Sequence, residues 1–331
     1  GPAALVCAET LRQEGYKGRI VMVTREKHLP YDRTKLSKHV SARVIKPLKH
    51  KKTIHCWVSG SLTYRHLPLL VVSINTDEGK VKFRDNSTLQ YSQLLIATGS
   101  RPRELTCPGS SLQNVFLLRS PDDANAISEA AIGKNVVIMG TSFIGMEVAA
   151  FLSDKASSVS VIGRSEFPFQ AVLGPKVGEV AMKVTTFSFE KLASDGRAPK
   201  LPGSDKNLLL ETFKGGTSWG ITDLQHKMST QARTGNLNEK ENAVRSHRQS
   251  LFMFACHSFM RTSVPDVYAA GDVVSFPLSI MEGHRVNIGH WQMAHSHGRI
   301  AALNMLNKQV PVDSVPFFWT SLLGKSLRYT G

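Results

Sequence analysis

The stretch that most constrains this chain is residues 135–163, where a strand pattern, a glycine turn, an apolar helix and a second strand run without interruption: NVVIMG, TSFIGMEVAAFLSDKA and SVSVIG. Two parallel strands joined through a helix connect as a right-handed crossover that packs the helix on the sheet. The unit therefore commits the chain to an α/β fold. Its turn needs glycine because the backbone must reverse tightly after the strand and approach a pyrophosphate closely, with the helix N-terminus facing the negative charge. Gly140 and Gly145 hold the first and third glycine positions, and Ser142 stands where the middle glycine is usual. An ordinary strand-to-helix turn is the alternative reading of these six residues. An NAD site also asks for an acidic residue at the end of the second strand, where this chain has Gly163 and Arg164. Arg164 is either a seat for a ribose 2′-phosphate or a solvated surface charge.

The same order starts at the N-terminus. Residues 1–15 read as a helix with Leu5, Ala8 and Leu11 on one face, and RIVMVT (19–24) reads as a buried strand. In this echo Gly1 takes the second glycine position, Ala4 the third small position, and Glu26, just past the strand, is the candidate ribose acceptor. A duplicated nucleotide-binding unit follows from the repetition. Between the halves, residues 71–75, 80–84 and 93–97 read as strands, with turns at Asp77-Glu78-Gly79 and Asp85-Asn86. Residues 42–67, with their basic run at 49–52, carry no clear period, and no element is expected there; residues 184–255 are polar and glycine-dotted, with few clean strands.

A chain of 331 residues exceeds one hydrophobic core, so two or three domains are expected. A net charge of +15 favours anionic partners, dinucleotides and nucleic acid among them, although no nucleic-acid motif accompanies it. No apolar run reaches the roughly 18 residues that a bilayer-crossing helix needs. The four cysteines, Cys7, Cys56, Cys107 and Cys256, form neither a CxxC nor a CxxxxC pair, which argues against an active-site disulfide.

Five blocks then occur in a fixed order: HLPYDRTKLSK, LLIATGSRPR, GTSFIGMEVAAFL, MRTSVPDVYAAGD and HWQMAHSHGRIAALNM. Together they resemble the FAD-dependent pyridine-nucleotide reductases of the ferredoxin-reductase and apoptosis-inducing-factor branch. The resemblance implies two Rossmann-like (ββα) dinucleotide-binding domains. Residues 1–120 and 256–308 would form a discontinuous FAD domain lacking its first strand, 121–255 an NAD(P) domain that is atypical over 184–255, and 309–331 the start of a C-terminal α+β domain. By the same resemblance Gly271 and Asp272 hold the FAD ribityl chain at a helix N-terminus, and Ala97, Thr98 and Gly99 pass its pyrophosphate. Arg33 and Lys38 lie near the flavin, Glu147 pairs with Lys38, and Trp291 and Trp319 pack by the flavin or the domain junction.

The implied activity is transfer of electrons from NAD(P)H through FAD to an acceptor, either an iron-sulfur centre or a quinone. An iron-sulfur cluster in a preceding domain and a mitochondrial location are further implications, a cytoplasmic one being the alternative. A second reading is a catalytically defective paralogue or fragment that acts in cell death by binding protein or nucleic acid.

Overall fold

The computed structural model describes residues 1–40, 62–64, 70–104, 109–185, 188–191, 207–211, 243–244 and 253–331; the basic run at 49–52 lies outside them. In chain order the elements are α1 (Pro2–Gln13), β1 (Ile20–Met22), α2 (Lys35–His39), β2 (Leu62–Tyr64), β3 (Val71–Asn75), β4 (Lys80–Phe83), β5 (Thr88–Gln90), β6 (Leu94–Ile96) and β7 (Val115–Leu117). They continue as α3 (Pro121–Ala131), β8 (Asn135–Met139), α4 (Phe143–Leu152), β9 (Ser158–Gly163), α5 (Gln170–Lys183), β10 (Ser188–Lys191), β11 (Asn207–Glu211), β12 (Ala243–Val244) and β13 (Met253–Ala255). The chain closes with β14 (Val267–Ala269), β15 (Val274–Pro277), β16 (Arg285–Val286), α6 (Trp291–Met305), β17 (Phe317–Leu322) and β18 (Lys325–Thr330).

The central unit forms a five-stranded sheet in the order β10-β9-β8-β11-β7, parallel at every pairing. The strand order reverses between β8 and β11, so a crevice opens beyond the carboxyl end of β8, where open α/β sheets take their ligands. Val136, Ile138 and Val161 from the strands pack with Met146, Val148 and Leu152 of α4 and Ile127 of α3 in one core. Each such side chain contributes about 1.5–3 kcal/mol when fully buried. α3 starts from a capping box: the Asp123 N–H donates to Ser120 Oγ at 3.3 Å, the Ser120 N–H donates to Asp123 Oδ2 at 2.8 Å, and Pro121 occupies the first turn, where no N–H is needed.

The second core gathers α1, α6, β6 and β14 to β16 around Phe276, Met260, Val274 and Ala301. β6 and β14 pair in parallel with Leu94 opposite Val267 and Ile96 opposite Ala269, joining segments far apart in sequence. α1 crosses α6 closely because Gly298 has no side chain; a Cβ there would lie 2.2 Å from the Ala3 carbonyl oxygen. β3, β4 and β5 make the expected antiparallel meander, with β5 an added strand.

The structure corrects four expectations. Residues 62–64, from the stretch assigned no element, pair in parallel with β1, Ile20 opposite Leu62. Residues 188–191 and 207–211, from the stretch expected to hold few clean strands, supply two strands of the five-stranded sheet. Both pairings are non-local, and a strand of three to five residues is too short for its own period to reveal it. β1 is half-buried rather than buried. Finally, Gly271 and Asp272 open a single 3₁₀ turn, Gly271–Val273, that runs into β15, so Asp272 does not stand at the N-terminus of an α-helix.

Candidate functional site

A cavity of about 1030 Å³ runs from the first turn of α1 to β17, near the upper end of the roughly 300–1,000 Å³ typical of ligand and cofactor sites. Gly1 and Ala4 line it at one wall, Ala97, Thr98 and Gly99 after β6 at another, and Gly271 and Asp272 after β14 at a third. Three sequence segments thus converge at strand and helix ends. Gly99 and Gly271 have φ of +72° and +82°, a left-handed conformation that glycine adopts at no steric cost.

At the α1 end Glu26 meets Arg33 in an ion pair and accepts from Tyr31 Oη at 3.1 Å. Arg33 also donates to Tyr31 Oη at 2.9 Å and lies over the Tyr31 ring, 4.9 Å from its centroid. Burial is the largest single influence on Glu26 and opposes its charge, yet Arg33, by attraction and hydrogen bonding, leaves its carboxyl below the usual range. Arg119, a further cation of this wall, has its pKa lowered by burial and by Arg33. The result is a wall with two guanidinium groups and one carboxylate, suited to a ligand carrying both phosphates and hydroxyls.

At the opposite end Lys38 Nζ donates to Glu147 Oε1 at 2.8 Å, joining α2 to α4. Glu147 is 4% exposed, and the cost of burying its charge is met by three donors: Lys38, the Ser37 hydroxyl, and Thr320 Oγ1 of β17 at 2.6 Å. Lys38 Nζ faces the cavity with its side chain one-fifth exposed. The fold therefore fixes the Lys38 ammonium at the cavity wall.

Asp272 accepts from Ser100 Oγ at 2.9 Å, and its carbonyl accepts from Asn287 Nδ2 at 2.9 Å. Below it the Gly271 N–H donates to Nδ1 of His297, a residue with no exposed surface whose pKa burial lowers to about 4. Trp291 and Trp319 line the cavity, Trp319 stacking on Phe317 at 6.0 Å and Trp291 against His295 at 4.7 Å.

Four expected site residues lie elsewhere. Gly140, Ser142, Gly145 and Arg164 do not line the cavity: the first three follow β8 at the switch point of the five-stranded sheet, and Arg164 follows β9. Gly140 turns with φ +125°, its N–H donates to the Ile162 carbonyl at 2.9 Å, Ser142 is the residue before α4, and Gly145 is buried in the helix's first turn. The family profile described as pyridine nucleotide-disulphide oxidoreductase matches residues 1–186, both glycine turns included. The chain belongs to this family. It is 41% identical over 332 residues to apoptosis-inducing factor 3 of Mus musculus, covering 100% of this chain and 54% of that protein. It is 26% identical over 346 residues to the ferredoxin–NAD(+) reductase subunit of the benzene 1,2-dioxygenase system of Pseudomonas putida, covering 100% of this chain and 78% of that one. The crystal structure of Fdr9 superimposes with a TM-score of 0.77 at 26% identity, over 100% of this chain and 80% of that one. The chain thus spans about half the length of the apoptosis-inducing factor 3 that it matches, and its family fold is the expected α/β arrangement.

Sequence reasoning missed Tyr31, Arg119, Ser37, Thr320, Ser100 and Asn287. Ser37 lies inside the KLSK block and could have been found there. Thr320 and Asn287 reach the site only through tertiary contact, and no local pattern marks them.

Proposed function

We propose that this chain is the dinucleotide-handling part of an FAD-dependent NAD(P)H oxidoreductase that passes electrons to an iron-sulfur centre. One observation carries the reading: a single cavity brings together the α1 turn, residues 97–99, the Gly271-Asp272 turn and the Lys38–Glu147 pair. FAD fits what lines it. Arg33 and Arg119 suit a pyrophosphate, Glu26 and Asp272 accept from ribose and ribityl hydroxyls, and Gly99 and Gly271 permit close backbone approach. Bound there, FAD supplies a ring that takes up hydride from a reduced nicotinamide and releases electrons singly.

The chain's own groups supply the electrostatics. Lys38 holds positive charge where negative charge develops, and Glu147 fixes the direction of its Nζ. Trp291 and Trp319 exclude water from that end of the cavity. Residues 1–120 and 256–308 form the FAD unit in this reading, 121–255 the nicotinamide unit with Gly140, Ser142 and Gly145 at its phosphate turn, and 309–331 a third unit. The acceptor is assigned by chemistry shared with the Pseudomonas putida relative, whose name gives ferredoxin. A mitochondrial location rests on family resemblance and is checked by imaging the tagged protein.

Purified protein should be yellow or bind added FAD, with visible bands that bleach on addition of NADH or NADPH and recover with an iron-sulfur acceptor. A protein that takes up no flavin at saturating FAD overturns the reading.

A further inference from the structure

NADH and NADPH differ by one phosphate on the adenosine ribose, and a dinucleotide site separates them by what stands at the end of the second strand of its βαβ unit. Here that position is Gly163, the last residue of β9, buried beside the Gly140 turn. A Cβ on Gly163 would lie 2.1 Å from Thr141 Cγ2, 2.6 Å from Thr141 Oγ1 and 2.9 Å from Thr141 Cβ. Thr141 is held in turn, since its carbonyl accepts the Phe169 N–H at 2.8 Å and the neighbouring Gly140 N–H is bound to Ile162. A side chain at 163, a carboxylate included, therefore requires Thr141 to shift, and in this packing the place where a ribose 2′-hydroxyl would be recognised carries none.

The next residue, Arg164, is exposed and makes no ion pair with any described residue. The first carboxylate beyond the strand is Glu166, also exposed. We infer that this turn selects NADPH over NADH: Gly163 leaves the ribose edge free of negative charge, and the Arg164 guanidinium takes the 2′-phosphate. The inference rests on the dinucleotide reading of the Gly140 turn and names the substrate within it. A guanidinium on a phosphate makes charge-assisted hydrogen bonds, and losing them lowers affinity about ten- to a hundredfold.

The test is calorimetric titration of the full chain, first saturated with FAD to close the other nucleotide site, with 2′,5′-ADP and with 5′-AMP, which lacks only the 2′-phosphate, at 0.15 M salt. The expected result is that 2′,5′-ADP binds about tenfold tighter or more. Arg164→Ala, at an exposed position, should remove most of that ratio with an unchanged melting temperature, whereas Glu166→Gln should leave it. Equal affinities, tighter binding of 5′-AMP, or a ratio that survives Arg164→Ala overturns the inference while the dinucleotide reading stands. Failure to bind either nucleotide overturns both.

Discussion

Glu147 shows how much one buried carboxylate asks of its neighbours. Its two oxygens take Lys38 and Ser37 from α2 and Thr320 from β17, so each donor removed leaves charge uncompensated. Thr320→Val keeps the shape and deletes one donor. It should cost about 1–3 kcal/mol in denaturant unfolding, and Lys38→Met about 3 kcal/mol, the low end for a broken buried pair because Lys38 is partly solvated. His297 sets a pH limit. Its folded pKa of about 4 lies below its ordinary 6.5, so the unfolded state binds the proton first between those values. Stability from this group is complete above about pH 6.5, falls as pH drops toward 4, and amounts to about 3 kcal/mol. His297→Asn keeps an acceptor for Gly271 and cannot titrate; its melting temperature should fall less than the parent's across that window.

At the scale of elements, the α1–α6 crossing decides whether the cavity has its first wall. Of the face expected on α1, Leu5 and Ala8 are buried and Leu11 is half-buried, but the depth of the crossing is set by Gly298 on the other helix. A Cβ there meets the backbone of Ala3, which cannot swing aside as a side chain could. Gly298→Ala should therefore destabilise the protein by about 1–3 kcal/mol and weaken FAD binding through displacement of the α1 turn. Thermal melts and flavin titration check the two effects, and an unchanged flavin affinity would detach α1 from the site. β17 shows the converse: its Trp319 and Thr320 are neighbours in sequence, yet one lines the cavity and the other reaches under it to Glu147.

For the whole molecule, a large cavity walled by distant segments makes folding and cofactor binding one linked equilibrium. A ligand that binds only the folded form adds about 2.7 kcal/mol at a hundred times its Kd. FAD should accordingly raise the melting temperature progressively with concentration, and removing it by dialysis should return the protein to the lower value. A melting temperature independent of FAD would separate the cavity from the flavin. The two cores differ in how they are assembled. That of the five-stranded sheet comes largely from residues 115–184, whereas the other joins the N-terminal helix to residues beyond 256.

The strand–turn–helix–strand unit at 135–163, the helix–strand pair at 1–24, the meander and the α6 pattern were legible because each is local: a period of 2 or 3.6 and a glycine at a turn are properties of neighbouring residues. Those units, with the order of the five blocks, were enough to determine the α/β class and the family, and to pair Lys38 with Glu147. What only the tertiary structure decided was everything that depends on distant segments meeting. It placed residues 62–64, 188–191 and 207–211 as strands, replaced the expected helix after Asp272 by a 3₁₀ turn, and brought Thr320 and Arg119 to the cavity. It also turned Gly163 from a missing carboxylate into a position that Thr141 keeps empty. Hydrogen bonds across a sheet and contacts beneath a helix are paid for by closing long loops, and the sequence carries no periodic record of which closure wins.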